Sequence, residues 1–269
     1  MDVIDRQRQT FSQVAELYER ARPSYPDPLI DDVLEISRIA PGARILEIGA
    51  GTGKATRLFA RRGHPLTCIE PGAELLAVAR RVLAEHREVE LVETTFEDWE
   101  ARVGGYALVV SAQAFHWVDP EVGYEKAARA LTPGGWLALF WNRPWLRVET
   151  VPLENEIAAI YARHADAFDP LARSSPSPDA GGRREGTPAR ARLDASLRFE
   201  RAEERAYTWQ QTYTTSEYLD LQRTQSNHRL LPEAARESLL GAVGAAIDAA
   251  GGRYEMTYTS ELLIARRRD

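Results

Sequence analysis

The sequence predicts an α/β protein: a doubly wound, mostly parallel seven-stranded sheet with helices on both faces and a lid insertion after the fifth strand. Short apolar runs alternate with segments of helical periodicity through the first half of the chain, which is the pattern of βαβ units. A glycine cluster, Gly49–Gly53, directly follows the first apolar run. A late helix and strand in residues 233–269 are expected to complete the sheet. Together these features predict a single domain over residues 1–269.

The N-terminal segment, residues 1–40, is expected to form a helical cap. Apolar residues from Phe11 to Tyr18 recur at helical spacing and predict a helix over residues 10–20. Pro28 then fits the first turn of a second helix, because that position leaves its N–H unpaired and proline has none.

Residues 41–142 are expected to form the core of the sheet. Five strands are predicted here, at residues 44–48, 65–70, 89–92, 106–111 and 136–141. Right-handed crossovers bring the carboxyl ends of such parallel strands to one edge. Ligands of doubly wound sheets bind at that edge, near the reversal of strand order, so functional residues are sought there.

The C-terminal half departs from this alternation, and residues 143–232 are predicted to form the lid insertion. The expected elements are a helix over 149–168, a mobile loop over 172–192, a strand over 197–209 and a helix over 216–226. A helix over 232–249 and a strand over 254–266 are then expected to complete the sheet.

The composition is that of an ordinary globular protein of 269 residues, with 44% hydrophobic and 28% charged residues. A formal net charge of −6 argues against a nucleic-acid partner, because phosphate binding relies on clustered Lys and Arg. The single cysteine, Cys68, allows neither an intramolecular disulfide nor a cysteine-based metal site, and no metal is expected. No apolar run reaches the roughly 18 residues of a membrane span. A cytoplasmic location without membrane contact is therefore expected.

The strongest functional signal is the motif Glu47-Ile48-Gly49-Ala50-Gly51-Thr52-Gly53, between a predicted strand and a predicted helix. Glycines there let the backbone turn sharply and approach a ligand, and the helix N-terminus adds exposed N–H groups. Lys54 occupies the position where the dinucleotide fingerprint requires its last glycine, and Ala55 stands where a phosphate-binding P-loop has Ser or Thr.

This motif resembles the first motif of class I S-adenosylmethionine-dependent methyltransferases, E/D-x-G-x-G-x-G, whose loop wraps the amino-acid part of that cofactor. The resemblance implies cofactor contacts from five loop residues, Glu47, Gly49, Ala50, Gly51 and Gly53. For Glu47, a role in orienting the loop is left open beside direct contact. The resemblance also implies that Glu70, which ends the second strand beside Pro71, accepts hydrogen bonds from both ribose hydroxyls.

Segments after the next two strands extend the resemblance. Phe96 and Glu97 follow the third strand, where the family contacts adenine. Ser111 and Gln113 follow the fourth strand, where the family lines the cofactor and the reaction centre. Residues 41–142 are therefore expected to be the cofactor-binding core.

The segment Tyr18–Pro26 resembles one that closes over the cofactor in relatives of trans-aconitate and ubiquinone-pathway methyltransferases. The resemblance implies cofactor contacts from Tyr18 and Arg22. A guanidinium at Arg22 can pair with the carboxylate of the cofactor, which is a charge-assisted contact. A surface salt bridge is the alternative for Arg22.

His116, just after the fourth strand, is the candidate catalytic residue, because histidine can accept a proton near neutral pH. The alternative is a packed or hydrogen-bonded structural histidine. His164 and His228 are expected at the surface or in the lid, and Cys68 is expected to be inert in the core. Six aromatic residues are candidates for an acceptor pocket or for packing: Trp141, Trp145, Tyr161, Trp209, Tyr213 and Tyr218.

The resemblance thus implies methyl transfer from S-adenosylmethionine to an O, N or C atom of a small-molecule acceptor by in-line displacement. The protein is expected to act chiefly by holding the acceptor in line and excluding water. An NAD(P)-dependent oxidoreductase and a non-catalytic S-adenosylmethionine-binding protein remain alternatives, since fold does not decide between them. A homodimer is left open.

Overall fold

The computed structural model describes residues 14–100, 102–145, 151–164 and 188–269. Its strands are β1 (Ile45–Ile48), β2 (Leu66–Glu70), β3 (Val89–Glu93), β4 (Tyr106–Ala112), β5 (Leu131–Trp145), β6 (Glu203–Thr214) and β7 (Arg253–Arg266). Its helices are α1 (Ala15–Ala21), α2 (Asp27–Ser37), α3 (Thr56–Ala60), α4 (Ala73–Val82), α5 (Pro120–Ala130), α6 (Pro152–Arg163), α7 (Pro188–Ala195), α8 (Thr215–Arg223), α9 (Ser226–Arg229) and α10 (Glu233–Ala249). Within those ranges, none of the helices combines the length and the apolar character that crossing a bilayer demands.

The seven strands form one sheet in the order β3-β2-β1-β4-β5-β7-β6. β1 pairs in parallel with β2 and β4, β2 with β3, and β4 with β5. The sheet is mostly parallel and includes one antiparallel hairpin. The strand order reverses between β1 and β4, which is where doubly wound sheets bind ligands. The predicted fold class is confirmed.

Successive residues of the central strands pack on opposite faces of the sheet, as the pleat of a strand requires. In β1, Ile45 belongs to one buried apolar cluster and Leu46 to another. In β5, Leu137 and Ala138 divide in the same way. β1 and β2 are buried along their whole length. Helices therefore cover both faces, as expected for parallel strands.

The predicted start of α5 is observed in detail. The side chain of Asp119 accepts a hydrogen bond from the backbone N–H of Glu121 at 2.9 Å, and Pro120 occupies the first turn. An N-cap of this kind satisfies a backbone donor that the helix itself leaves unpaired. The helix therefore begins where local sequence chemistry places it.

The chain forms two compact units, each built from separate stretches of sequence. The sheet unit comprises Ser24–Asn142, Arg184–Tyr207 and Ser260–Asp269. The helical unit comprises Met1–Pro23, Arg143–Arg183 and Thr208–Thr259. The predicted subdivision into residues 1–40, 41–142, 143–232 and 233–269 stays a prediction.

The helical unit has an apolar core of its own, to which α6, α8 and α10 contribute. Ile157, Leu239 and Val243 are buried there. Tyrosines lie among these aliphatic residues, and the hydroxyls of Tyr213 and Tyr258 are 2.8 Å apart. Buried tyrosines ordinarily find such polar partners, which ties their hydroxyls to fixed positions.

The predicted strand at 197–209 was misplaced along the sequence, since β6 runs from Glu203 to Thr214. β6 lies at one end of the sheet and most of its side chains are exposed. At an edge the apolar alternation is weak, so strand pairing sets the limits of the element more than side-chain pattern does. β5 similarly begins at Leu131, ahead of the predicted start at Trp136.

The predicted loop at 172–192 was also wrong in its last residues, since α7 begins at Pro188. Leu193 of α7 is fully buried, and this tertiary contact outweighs the loop-like composition of the preceding segment. Residues 172–187 lie outside the described residues, as do residues 10–13 of the first predicted helix and both ends of the helix predicted over 149–168.

Candidate functional site

Glu47 is buried beneath the glycine loop, near the end of β1. It is 1% exposed, and its Oε2 accepts a hydrogen bond from Thr56 Oγ1 at 2.7 Å; Cys68 Sγ lies 3.8 Å from the same oxygen. Burial raises the pKa of Glu47 to about 7, and the negative charge of Glu70 adds to the rise, while the Thr56 and Cys68 contacts oppose it. The bond to Thr56 ties β1 to α3. It supports the orienting role, whereas direct cofactor contact stays a prediction.

The glycine loop is held by its own backbone. The amides of Gly49 and Ala50 donate to the carbonyl oxygen of Ile69 at 2.8 and 3.1 Å. Gly49 and Gly51 have φ values of +72° and +58°, a region that residues with a Cβ rarely adopt. A Cβ on Gly49 would lie 2.3 Å from Cβ of Ala114, whereas a Cβ on Gly51 would meet nothing within 4 Å. Gly49 therefore permits close packing, and Gly51 leaves its backbone open to approach.

Glu70, at the end of β2, reaches this open part of the loop. Its Oε2 accepts a hydrogen bond from the amide of Gly51, and its Oε1 accepts one from the amide of Gly72, both at 2.9 Å. The side chain is 7% exposed, while the neighbouring Pro71 is exposed. The carboxylate therefore joins the glycine loop to the turn before α4, and its oxygens are hydrogen-bond acceptors at the carboxyl edge of the sheet.

Ser111 and Gln113 follow at the end of β4, next to β1 in the sheet. Ser111 is fully buried, and its Oγ donates to the carbonyl oxygen of Ile48 at 2.8 Å. Gln113 has a φ of +59°, and its side-chain Nε2 donates to the carbonyl oxygen of Asn142 at 3.1 Å. Both residues lie where the sequence analysis expects cofactor contacts, and those contacts stay predictions.

His116 lies in a single 3₁₀ turn, Phe115–Trp117, which follows β4. Phe115 is buried and anchors the turn, whereas His116 is exposed and its ring centroid is 4.6 Å from that of Trp117. This exposure argues against a histidine packed in the core, while the alternative of a hydrogen-bonded structural histidine stays open. Its role as a base stays a prediction.

Phe96 and Glu97 have clear structural partners after β3. Phe96 is 3% exposed, and its ring centroid is 6.1 Å from that of Trp99 in a stacked arrangement. Glu97 Oε1 accepts a hydrogen bond from the amide of Asp119 at 2.9 Å, and its backbone oxygen accepts one from Lys126 Nζ at 2.7 Å. Adenine contact by Phe96 and Glu97 stays a prediction.

Tyr18 and Arg22 belong to the helical unit. Arg22 Nε donates to Thr224 Oγ1 at 2.8 Å, and its Nη2 donates to the carbonyl oxygen of Thr224 at 2.9 Å. The guanidinium carbon also lies 5.1 Å from the centroid of the Tyr18 ring. Arg22 therefore binds a buried threonine, and both its contact with a cofactor carboxylate and the alternative of a surface salt bridge stay predictions.

Of the two positions expected for His228, the surface and the lid, the structure contradicts the surface position, because the side chain is only 2% exposed. The lid position stays a prediction. The Tyr161 hydroxyl lies 3.0 Å from His228 Nε2, and it donates to Gln222 Oε1 at 3.3 Å. Burial lowers the pKa of His228 to about 4, assisted by the positive charges of Arg236 and Arg22. The imidazole is therefore neutral near pH 7.

The aromatic candidates divide by environment. Tyr213 and Tyr218 are buried in the core of the helical unit, and Trp209 stacks on Tyr258 with centroids 4.7 Å apart. Trp141 is buried in the core of the sheet unit, whereas Trp145 is 41% exposed. For the buried residues, these contacts support packing over the lining of an acceptor pocket.

The structure brings together predicted site residues that lie at or just beyond the carboxyl ends of β1, β2 and β4, namely Glu47, Gly49, Ala50, Gly51, Gly53, Glu70, Ser111 and Gln113. Sequence reasoning missed two residues that organise this edge, Thr56 and Asn142. Thr56 begins the helix directly after the loop, and that position is a signal that could have found it. Asn142 offers no such local signal, because its partners are distant in sequence.

Part of this chain is similar in sequence to known methyltransferases. Residues 45–135 match the model of a methyltransferase domain. An uncharacterised methyltransferase from Mycobacterium tuberculosis is 38% identical over 157 residues, which cover 58% of this chain. The match spans 60% of that relative's own length, about three fifths.

Two solved structures share the fold. A provisionally assigned type II methyltransferase from Anaeromyxobacter dehalogenans has a TM-score of 0.61 at 19% identity, over 92% of this chain and 97% of its own. A phosphoethanolamine N-methyltransferase from Haemonchus contortus, in complex with phosphomonomethylethanolamine and S-adenosylhomocysteine, has a TM-score of 0.57 at 13% identity, over 100% and 61%. Residues 45–135 of this chain are therefore similar to a methyltransferase domain, and the chain shares the α/β fold of these two solved proteins, in agreement with the family that its motifs resemble.

Proposed function

We propose that this protein is an S-adenosylmethionine-dependent methyltransferase that acts on an O, N or C atom of a small-molecule acceptor. One observation carries the proposal: Glu70 Oε2 lies 2.9 Å from the amide of Gly51, whose backbone faces open space. A carboxylate beside accessible backbone suits a ligand that carries hydroxyl groups next to a polar chain. The matched methyltransferase domain, residues 45–135, contains both residues.

The residues of this edge fit the cofactor chemically. Glu70 supplies acceptor oxygens for the two ribose hydroxyls, and Gly51 leaves room for the amino-acid part of the cofactor. The amides of Gly49, Ala50 and Gly53 are already bonded within the protein. The loop therefore keeps its shape before any ligand arrives, which lowers the free-energy cost of binding.

When bound, S-adenosylmethionine supplies a methyl group that its sulfonium already makes electrophilic. The chain needs no covalent nucleophile, and most of the acceleration comes from holding the acceptor in line and excluding water. Glu70 and the glycine loop hold the cofactor. His116, exposed just after β4, accepts the proton from acceptors that must lose one.

The proposal includes a small molecule as acceptor and a cytoplasmic location. The Haemonchus protein was solved with phosphomonomethylethanolamine, a small molecule, which supports this class of acceptor. A net charge of −6 disfavours nucleic acid as the substrate. A homodimer stays a prediction.

Calorimetry with the full chain tests the cofactor. We expect S-adenosylmethionine and S-adenosylhomocysteine to bind in the micromolar range and NADH to show no binding. Glu70→Ala should weaken S-adenosylhomocysteine binding by about tenfold or more, because charge-assisted hydrogen bonds to the ribose are lost. Glu93→Ala is the matched control, since Glu93 pairs with Glu70 in the register of β2 and β3 but is exposed.

Two outcomes would contradict the proposal. A folded protein that binds neither sulfur ligand has no methyltransferase cofactor, and binding of NADH instead would favour the oxidoreductase. Turnover of an acceptor then separates an enzyme from a non-catalytic binding protein. In that assay, an unchanged kcat for His116→Ala removes His116 from the mechanism.

A further inference from the structure

Asn142 lies near the carboxyl end of β5, and its side chain joins two distant parts of the sheet unit. It is 7% exposed. Its Nδ2 donates to the carbonyl oxygen of Ser24 at 2.9 Å, and its Oδ1 accepts from Ser260 Oγ at 2.6 Å. The carbonyl oxygen of Ser24 can only accept, so these bonds fix which way the amide points. Both polar ends of the side chain are therefore engaged.

The backbone of Asn142 holds a second feature, the turn after β4. Its carbonyl oxygen accepts the hydrogen bond from Gln113 Nε2 at 3.1 Å. Gln113 has a φ of +59°, which is uncommon for a residue with a side chain and costs conformational energy. The amide of Gln113 also donates to the carbonyl oxygen of Phe140 at 2.9 Å. Two bonds to β5 thus hold Gln113 in this conformation.

The conformation of Gln113 sets the position of the next residue, Ala114, against which the glycine loop packs. A Cβ built on Gly49 would lie 2.3 Å from Cβ of Ala114, so the backbone at Gly49 lies directly against this turn. A shift of the turn would open or crowd that contact. Asn142 is therefore linked to Gly49 through Gln113 and Ala114.

The side-chain bond to Ser24 holds the segment Ser24–Pro26 at the same edge. Beside it, the ring of Tyr25 meets Phe140 of β5 edge-on, with centroids 4.9 Å apart. This segment ends the stretch that resembles a cofactor-closing element. The ring contact and the Asn142 bond therefore anchor the segment to β5 at two points.

We propose that Asn142 is a positioning residue, which sets the shape of the cofactor-binding edge by holding Gln113 and Ser24 to the end of β5. It touches neither cofactor nor acceptor, and it acts through Gln113 and Ala114 on the glycine loop. This inference rests on the proposed function, since the edge it organises is the one assigned to the cofactor. Its consequence is that losing the side chain weakens ligand binding and loosens the loop even before any ligand is added.

The first test compares Asn142→Ala with Asn155→Ala, whose asparagine is exposed on α6. Calorimetry with S-adenosylhomocysteine should show about tenfold weaker binding for Asn142→Ala, because displaced binding groups lose affinity steeply. Hydrogen exchange of the unliganded protein should be faster at the amides of Gly49, Ala50 and Gln113. Asn155→Ala should match the wild type in both measurements.

The second test compares Gln113→Ala with Gln113→Gly. Both variants lose the bond to Asn142, but glycine adopts the left-handed conformation without strain. If Gln113 acts through its conformation, Gln113→Ala should weaken S-adenosylhomocysteine binding by about tenfold, and Gln113→Gly should weaken it less than Gln113→Ala does. If Gln113 acts by touching the ligand, both variants should weaken binding equally.

Unchanged affinity together with unchanged exchange in Asn142→Ala overturns the inference and leaves the proposed function intact. Equal losses for Gln113→Ala and Gln113→Gly overturn it as well. If the wild type binds no S-adenosylhomocysteine, the proposed function fails, and the exchange rates alone decide the role of Asn142. If Asn142→Ala fails to fold, the Gln113 pair decides.

Discussion

The two units each bury a titratable side chain, and they do so with opposite charge types. The sheet unit buries the acid Glu47, whose pKa rises to about 7, and the helical unit buries the base His228, whose pKa falls to about 4. In both cases burial disfavours the charged form. The folded state of each unit therefore favours a neutral group that the unfolded chain would ionise over part of the pH range.

The partners of the two groups differ in how far they lie along the chain. Glu47 contacts Thr56 and Cys68, within one βαβ unit. His228 contacts Tyr161, which is 67 residues away. Glu47 is thus held by residues close to it in sequence, whereas His228 is held by a residue from a distant stretch of the chain.

The largest expected effect concerns packing at the glycine loop. Gly49→Ala should destabilise the protein by about 4 kcal/mol, because it adds left-handed strain to a clash with Ala114. Gly241→Ala in α10 is the matched control, since its Cβ meets nothing within 4 Å. The control should be neutral or stabilising by up to about 1 kcal/mol. Urea unfolding measures the stability of both variants. Equal stabilities would contradict the predicted clash and strain at Gly49.

The next effect concerns the pH dependence that Glu47 brings to the sheet unit. The pKa of Glu47 in the folded protein is about 7, above its ordinary value of 4.5. Its contribution to the free energy of unfolding is therefore fully present below pH 4.5 and is lost as the pH rises through 7. Over that range the free energy of unfolding of the wild type should fall by about 3 kcal/mol relative to that of Glu47→Gln. Thermal unfolding between pH 4.5 and 8 measures the difference. Parallel curves for the two proteins would rule out a buried titration at Glu47.

Thr56→Val sharpens the Glu47 measurement. The hydrogen bond from Thr56 opposes the rise in the pKa of Glu47. Its removal should extend the loss of stability to higher pH than in the wild type. If Thr56→Val loses stability over the same pH range as the wild type, this hydrogen bond has no influence on the pKa of Glu47.

The effect at His228 is of about the same size as that at Glu47 and has the opposite sign. Its folded pKa of about 4 lies below the ordinary 6.5, so its contribution is present above pH 6.5 and is lost as pH falls through 4. On acidification the stability of the wild type should therefore fall by about 3 kcal/mol, a loss that His228→Gln does not show. Unfolding between pH 7 and 4 measures this. Tyr161→Phe, which retains the imidazole, should still lose stability like the wild type.

The fold of the sheet unit and much of its candidate site could be predicted because their signals are local. Buried strands read as apolar runs, and parallel strands joined by right-handed crossovers bring their carboxyl ends to one edge. These rules place the glycine loop beside Glu70, and the structure puts Gly51 and Glu70 in hydrogen-bond contact at 2.9 Å. The expected cofactor contacts of these residues follow from the resemblance and await the binding experiment.

The βαβ core, the glycine loop and the acid at the end of β2 could be predicted from the amino-acid sequence, because apolar pattern, glycine and crossover handedness act over short stretches. The limits of β6, the burial of His228 and the hydrogen bonds of Asn142 depend instead on tertiary contacts. Asn142 illustrates the reason, since its two side-chain partners, Ser24 and Ser260, each lie 118 residues away. A hydrogen bond over that separation depends on the folded arrangement of strands, which no local pattern encodes.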